Sequence, residues 1–214
     1  MDAFIQVMES TIAARDPYTV DHQQRATRLA CLIAAEMNLS KASLEDLHVA
    51  GRLHDLGKVA VPAEILTKPG KLSREEFSLI KNHPEVGYDI LQPLKLPQRT
   101  AQIILQHHER LDGSGYPHGL QGREILLEAR IMAVADVVDA MSSHRPYRAS
   151  LGLEQAQEEI VCFKGTRYDA AVVDACIRVF EKSANQPSTA WVPDSRLRRE
   201  GRARGLKQAQ RRNL

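Results

Sequence analysis

Apolar residues recur at helical spacing along most of the chain. Residues 2–15 and 19–38 show this pattern, and in the second segment Ala26, Leu29 and Ile33 lie on one face of the predicted helix. No segment shows a convincing alternation of apolar and polar residues, which is the pattern of a half-buried strand. The sequence therefore predicts an all-α fold, in which helices pack as a bundle.

Polar residues and one proline predict where several helices begin. Ser43 is a predicted N-cap for a third helix, one side of which carries His54. Ser73 and Glu76 have the spacing of a capping box, so a helix is expected from Ser73 to about residue 82. Pro84 suits the first turn of the helix that follows.

The second half of the chain carries four more helical patterns. These are expected over residues 97–110, 126–143, 153–162 and 168–182. The first of them ends in two adjacent histidines before a glycine-rich loop. The last of them closes the predicted bundle, so one helical domain is expected over residues 1–182.

Residues 183–214 differ from the rest of the chain. They contain Pro187, Pro193 and an arginine-rich run, with eight of the 29 basic residues but only two of the 27 acidic ones. The remainder of the chain is mildly acidic, with 21 basic and 25 acidic residues. Without sustained apolar periodicity, 183–214 is predicted to be a basic tail, linker or disordered segment. Its charge suits nucleic acid or membrane phosphates, but such runs are more often solvated, so no nucleic-acid partner is expected.

The chain shows no membrane or secretion signal. No apolar run approaches the roughly 20 residues that a membrane span needs. The N-terminus lacks a basic segment followed by an apolar signal core. We therefore expect a cytoplasmic location and no membrane span.

Histidines are concentrated at positions where an unpaired imidazole would be costly. Five of the eight lie at predicted helix ends or on apolar helix faces. These five are His22, His54, His83, His107 and His108. A lone histidine at such a place is more often a hydrogen-bonded core residue than a ligand. Five together, with Asp55 and Asp136, offer nitrogen and carboxylate donors without cysteine, which suits iron, manganese or zinc in a hydrolytic site.

Five motifs resemble those of the HD-GYP family, in the same order and spacing. They are "LHDLGK" (53–58), "NHP" (82–84), "HHERLDGSGYP" (107–117), "ARIMAVADVVDA" (129–140) and "RPYR" (145–148). "RDPYTVDH" (15–22) fits the opening helix of that family, so the resemblance covers roughly residues 10–180. The chain is identified as a member, which implies an HD-type helical bundle with a metal centre in its core.

The resemblance implies a set of metal ligands. The implied ligands are His22, His54, Asp55, His83, His107, His108 and Asp136. Asp55 is expected to bridge two divalent ions, iron or manganese, held about 3.5–4 Å apart. Such a pair polarises a phosphoryl oxygen and supplies a bridging hydroxide at neutral pH, which makes Asp55 part of the catalytic apparatus.

One position departs from part of the family and bears on the number of metals. Some members carry a glutamate four residues before the first ligand histidine, and that carboxylate helps to hold a third ion. The position is Tyr18 here. A neutral phenol with a pKa of about 10 is a poor ligand for these cations, so two ions are expected.

Other residues of the motifs are implied to act on the substrate. Lys58 matches a family lysine that neutralises charge or protonates the leaving oxygen. Tyr116, Arg145 and Arg148 are implied to bind substrate. The alternatives are a surface lysine, a purely structural turn around Tyr116 and ordinary surface arginines. Asp139 is a candidate for orienting a ligand or contacting the substrate.

The implied function is hydrolysis of cyclic di-GMP to linear pGpG, with a second cut to GMP left open. Two alternatives remain, a phosphodiesterase for another cyclic dinucleotide such as a cyclic GMP-AMP, and a signalling adaptor that binds the nucleotide without cutting it. The expected protein partners are diguanylate cyclases with GGDEF domains or a receiver or sensor regulator. The helix over residues 2–15 is a candidate for signal relay or for a homodimer contact.

Overall fold

A computed structural model describes residues 2–13, 17–94, 96–143, 150–185 and Trp191. The α-helices are α1 (Asp2–Ala13), α2 (Pro17–Glu36), α3 (Lys41–Leu53), α4 (Ala63–Leu66), α5 (Arg74–Lys81), α6 (His83–Leu91), α7 (Gln98–Gln106), α8 (Leu127–Ser142), α9 (Leu153–Cys162) and α10 (Ala170–Asn185). Short 3₁₀ helices cover Leu56–Ala60, Gln92–Leu94 and Gly122–Glu124. These ranges contain no β-strand, which confirms the all-α prediction. None of their helices has both the length and the apolar character needed to cross a membrane.

Helix α2 lies at the centre of the bundle. It packs mainly against α3 and α8, while α7 lies against α3 and α6. Leu29 and Ile33 of α2, Leu47 of α3, and Ile131 and Met132 of α8 are among the fully buried side chains of the shared core. Because these helices share one core, their positions are fixed relative to one another. Side chains that they carry at one end of the bundle are therefore held in a fixed arrangement.

Two glycines allow helices to approach closely beside the histidine-rich end. A Cβ atom added at Gly57 would lie 1.9 Å from the carbonyl oxygen of His83 and 2.6 Å from the amide nitrogen of Gly87. A Cβ atom added at Gly51 would lie 2.5 Å from Oγ1 of Thr27. Any larger residue would push these backbones apart, so both glycines set the distance between the helices that carry the site.

The predicted helix starts agree with the structure at two places and fail at one. Ser73 caps α5 through a complete capping box with Glu76, and Pro84 lies in the first turn of α6. The predicted N-cap at Ser43 is wrong, because Ser40 caps α3 and accepts a hydrogen bond from the amide of Ser43 at 3.1 Å. Ser40 has the extended backbone of an N-cap, whereas Ser43 already lies inside the helix.

Some described residues beyond position 182 continue α10 or pack against the bundle. Helix α10 continues to Asn185, and Trp191 is buried against Phe180, with 5.7 Å between ring centroids. The indole Nε1 of Trp191 donates to the carbonyl oxygen of Arg25 at 2.9 Å. The rest of the predicted basic tail lies outside the described residues, so the division at residue 182 stays a prediction.

Candidate metal centre

The structure brings together all seven residues that the sequence singles out as ligands. They form three groups in which the donor atoms lie within 4.8 Å of one another. The groups are His83, His107 and His108; His22, His54 and Asp136; and His54, Asp55 and His107. Because His54 and His107 link the groups, the donors form one continuous cluster.

Three of the histidines stand at helix ends and are oriented in the same way. In each, Nδ1 donates to the backbone carbonyl oxygen three residues earlier. The pairs are His54 with Gly51 at 2.7 Å, His83 with Ile80 at 2.7 Å, and His107 with Ile104 at 2.6 Å. The last carbonyls of a helix lack intrahelical partners, so they are free to accept these bonds. A carbonyl oxygen can only accept, so Nδ1 carries the proton and Nε2 presents a lone pair to the cluster.

These lone pairs converge. Nε2 of His83 lies 3.2 Å from Nε2 of His107. Burial lowers the pKa of His83 to about 4 and that of His107 well below its usual range, so both rings are neutral at pH 7. Nε2 of His54 is also buried, and the described part of the chain offers it no hydrogen-bond partner. Unprotonated nitrogens this close together repel one another, and a bound cation is the group that fits them.

Asp55 lies between two of these imidazoles and a lysine. Its Oδ1 is 3.4 Å from Nε2 of His83, and its Oδ2 is 3.6 Å from Nε2 of His54. Lys58 Nζ donates to Oδ2 at 2.7 Å. Burial alone would raise the pKa of Asp55, but Lys58 and the surrounding imidazoles outweigh it and hold the pKa well below its usual range. The carboxylate is therefore ionised and available as an anionic ligand.

His22 is oriented by a side chain from another helix. Its Nδ1 donates to Oδ2 of Asp139 at 2.7 Å, and its Nε2 lies 2.9 Å from Oδ1 of Asp136. Arg25 donates to both oxygens of Asp139, at 2.8 and 3.1 Å. Burial lowers the pKa of His22, but the hydrogen bonds with Asp136 and Asp139 outweigh it, so the pKa is raised. The structure therefore shows Asp139 orienting His22, a histidine of the donor cluster.

The sequence did not single out Arg25, although it stands one helical turn after His22. That spacing is the only signal in the chain that could have found it.

Glu109 was not singled out from the sequence either. It directly follows the histidine pair and is buried. Its carboxylate accepts from the amides of His118 at 2.8 Å and Leu120 at 3.1 Å. Glu109 thereby ties the far end of the glycine-rich loop to the residue that follows the histidine pair.

That loop places Tyr116 beside the donor cluster. A Cβ atom added at Gly115 would lie 2.4 Å from Cα of Glu109, so only glycine allows the loop to pack this closely. The Tyr116 ring then lies 4.6 Å from the ring of His108 and 6.4 Å from that of His83, centroid to centroid. Burial raises the pKa of the Tyr116 phenol, so its hydroxyl stays protonated. The other predicted substrate ligands, Arg145 and Arg148, lie outside the described residues.

The donor chemistry points to divalent metal. Imidazole nitrogen and carboxylate oxygen are combined without thiolate, which suits first-row divalent cations. Asp136 and Asp55 are both ionised, because His22 and other imidazoles in one case and Lys58 in the other outweigh the effect of burial on their pKa. The cluster thus supplies two anionic charges to offset bound cations.

Comparison with known proteins agrees with this geometry. A sequence model of the HD domain family matches residues 6–172. The chain is 42% identical over 184 residues to the cyclic di-GMP phosphodiesterase response regulator RpfG of Xanthomonas campestris, covering 84% of this chain and 49% of that protein. It is 36% identical over 194 residues to 3'3'-cGAMP-specific phosphodiesterase 1 of Vibrio cholerae, covering 87% and 44%. The chain thus spans about half the length of the curated relatives it matches.

A solved structure shows the same fold. It is Bd1817, an HDG"Y"P protein from Bdellovibrio bacteriovorus, which superposes with a TM-score of 0.63. The two sequences are 18% identical, and the match covers 83% of this chain and 60% of that one. At this identity the likeness concerns the fold alone.

Proposed function

Because this chain belongs to the HD domain family, and to the HD-GYP proteins within it, we propose that it is a metal-dependent phosphodiesterase that hydrolyses cyclic di-GMP to pGpG. Hydrolysis of the ring opens one phosphodiester bond by adding one water. The relative from Xanthomonas campestris supports the substrate, since its name states that activity. A second cut to GMP belongs to the same proposal.

The convergence of neutral imidazoles is the observation that carries the proposal. His83 and His107 point unprotonated Nε2 atoms at each other across 3.2 Å, and each Nδ1 is already occupied by a carbonyl. Two buried lone pairs in contact, without a donor between them, would destabilise an ordinary structural core. A protein that only binds a nucleotide would not need the seven donors to stay together. The cluster therefore favours a metal-dependent hydrolase over an adaptor.

The seven clustered residues would hold two divalent ions, iron or manganese, with Asp55 as the shared carboxylate. Such ions polarise a phosphoryl oxygen and make a water nucleophilic at neutral pH. Lys58 Nζ lies 2.7 Å from Oδ2 of Asp55, so its ammonium would lie beside an ester held at the cluster and offset its negative charge. Its proton is available to the departing 3′ oxygen. Tyr116 offers a protonated hydroxyl beside His108, and Arg145 and Arg148 would bind phosphate oxygens or a guanine edge.

Reconstitution tests this function directly. Protein stripped with EDTA and reloaded with Mn²⁺ or Fe²⁺ is incubated with cyclic di-GMP, and the products are separated by chromatography. We expect pGpG only in the reloaded samples, with GMP appearing later if the second cut occurs. Intact cyclic di-GMP in every reloaded sample would contradict the proposal.

A second candidate substrate is 3'3'-cGAMP, favoured by the relative from Vibrio cholerae whose name states that specificity. The two dinucleotides differ in one base, so the metal centre would treat them alike. Values of kcat/KM for both, measured on one preparation, would rank them. A higher value for 3'3'-cGAMP would replace cyclic di-GMP as the substrate.

The setting follows from the same reasoning. We propose a cytoplasmic signalling role, because the proposed substrate is a second messenger. A receiver or sensor regulator, or a diguanylate cyclase with a GGDEF domain, would control the enzyme. Co-purification from cells that express tagged protein would detect such a partner, and size-exclusion chromatography would detect a homodimer.

A further inference from the structure

Three side chains beyond the metal ligands form a small aromatic and cationic surface. Phe77 and Lys81 lie one turn apart on α5, and Tyr116 comes from the loop that follows His108. The rings of Phe77 and Tyr116 meet edge to face, with centroids 6.4 Å apart. Lys81 Nζ lies 5.2 Å from the Phe77 centroid and 5.5 Å from the Tyr116 centroid. We call Phe77, Lys81 and Tyr116 the aromatic wall.

The aromatic wall leads from the metal centre to solvent. Its inner end is Tyr116, whose ring lies against His108, a member of the donor cluster. The His108 side chain is 17% exposed, Tyr116 is partly buried, and Phe77 at the outer end is 44% exposed. A ligand with its phosphate at the cluster would therefore extend its attached groups along this wall.

Packing does not explain the wall. A single exposed phenylalanine carries no information, since apolar atoms cover much of any protein surface. Helix α5, however, has no buried residue, so Phe77 contributes nothing to the core. Within the described ranges no carboxylate lies within ion-pair distance of Lys81, and its ammonium lies near the two aromatic rings instead. The cation thus lies beside aromatic faces and is left free to donate hydrogen bonds.

We propose that the aromatic wall binds one guanine base of the substrate, with Phe77 as the stacking residue and Lys81 as the residue that selects guanine. This inference rests on the proposed cyclic dinucleotide phosphodiesterase function. The base would stack on the exposed ring of Phe77. The Lys81 ammonium would donate to O6 and N7 at the guanine edge.

Base chemistry distinguishes guanine from adenine at this position. Guanine presents two acceptors, O6 and N7, on the edge that an ammonium can reach. Adenine presents N7 beside the N6 amino group, which is itself a donor and repels an ammonium. Lysine has three donors and no acceptor, so it binds the guanine edge favourably and the adenine edge unfavourably. Phe77 stacks equally well on either purine.

The first test removes the stacking ring. Loss of base stacking costs roughly 5- to 150-fold in binding, so Phe77→Ala should raise KM for cyclic di-GMP within that range and leave kcat within about twofold. Leu79→Ala is the matched control, because Leu79 is on the same helix and is 46% exposed. Hydrolysis of methyl 4-nitrophenyl phosphate, which has no purine, should be unchanged in both variants. A KM for cyclic di-GMP that is equal in Phe77→Ala and Leu79→Ala would overturn the wall.

The second test asks for the guanine edge. Lys81→Met should lower kcat/KM roughly 10-fold for cyclic di-GMP and should not lower it for cyclic di-AMP, because the ammonium that repels the adenine amino group is gone. The preference for guanine over adenine should therefore become smaller. Lys71→Met, at an exposed lysine just before α5, is the control and should leave the preference intact. An equal loss on both dinucleotides would show that Lys81 contacts phosphate and would overturn the guanine assignment. Metal content, measured in each variant, must match the wild type.

The two proposals fail in different ways. If the wild-type protein cuts methyl 4-nitrophenyl phosphate but no cyclic dinucleotide, the proposed substrate is wrong, and the aromatic wall falls with it. If it cuts cyclic di-GMP and Phe77→Ala matches the wild type, only the aromatic wall is wrong.

Discussion

Two kinds of support hold the histidines of the cluster. His54, His83 and His107 stand at helix ends, and each donates from Nδ1 to a carbonyl three residues earlier in its own stretch of chain. His22 stands inside α2, where backbone carbonyls are already used by helical hydrogen bonds. It donates instead to Asp139, which lies on α8. The three helix-end histidines are thus oriented by nearby backbone carbonyls, whereas His22 is oriented by a carboxylate that lies far along the chain.

The two kinds of hydrogen bond differ in how easily a substitution removes them. A backbone carbonyl persists whatever side chain its residue carries, so the three helix-end histidines cannot lose their partner through one substitution. His22 depends on Asp139, which in turn is held by Arg25. The helix-end part of the cluster should therefore tolerate changes around it, and the His22 part should not.

The largest effect is expected when a donor of the cluster itself is removed. Asp55→Ala and His54→Ala each delete a direct donor, and Asp55 also supplies charge to the proposed bridge. Turnover of cyclic di-GMP should fall more than roughly 100-fold, beyond the range typical of disturbing an outer partner. Metal content should fall as well. Normal turnover in a folded, metal-loaded Asp55→Ala protein would refute the proposed centre.

A smaller effect is expected when only the distant support is removed. Asp139→Asn weakens the orientation of His22 while every donor remains, so metal affinity or activity should fall roughly 10- to 100-fold. Glu128→Gln is the matched control, because Glu128 is also a buried carboxylate gripped by an arginine, Arg99. Equal metal affinity in Asp139→Asn and Glu128→Gln would show that Asp139 is merely structural.

The two kinds of histidine also titrate in opposite directions in the metal-free chain. Burial lowers the pKa of His83 to about 4, from an unfolded value of about 6.5. Its contribution to stability is therefore complete above about pH 6.5 and is lost as the pH falls toward 4. His107 and His108 shift the same way. The raised pKa of His22 contributes stability that is present below about pH 6.5 and lost as pH rises through the folded pKa.

The pKa values of His83, His107 and His108 are lowered and only that of His22 is raised, so the metal-free protein should be less stable in acid. The Tm of EDTA-treated protein should be lower at pH 5 than at pH 7. Asp139→Asn weakens the opposing contribution of His22, so its Tm should fall further over the same interval. A smaller fall in Asp139→Asn than in the wild type would contradict these directions.

The smallest effect is expected at a residue outside both parts of the cluster. Arg145→Ala should leave metal content intact and raise KM for cyclic di-GMP roughly 10-fold, since one charge-assisted hydrogen bond is lost. Arg148→Ala should behave in the same way. An unchanged kcat/KM in the double variant would show these arginines to be ordinary surface charges.

Much of this arrangement could be read from the sequence, and the reasons are physical. Helices were predictable from apolar periodicity, which predicted the bounds of α9, and the start of α5 was predictable from its capping box. The choice of Ser43 over Ser40 failed because both serines have capping chemistry and only the backbone distinguishes them. His54 and His83 are supported by backbone carbonyls three residues earlier, which any sequence supplies once the histidine stands at a helix end. Arg25 and Glu109 had only their position beside a histidine as a signal, because their partners lie far along the chain or in the backbone of a loop.

The number of metals tests the central claim most directly. Mn²⁺-loaded protein is freed of excess metal and analysed for metal per chain, with Tyr18→Glu and Asp55→Ala alongside. Seven donors and a tyrosine at position 18 predict two ions in the wild type, a third gained by Tyr18→Glu and a loss in Asp55→Ala. A wild-type protein that retains three ions would refute the two-metal assignment, and one that retains none would contradict the metal centre itself.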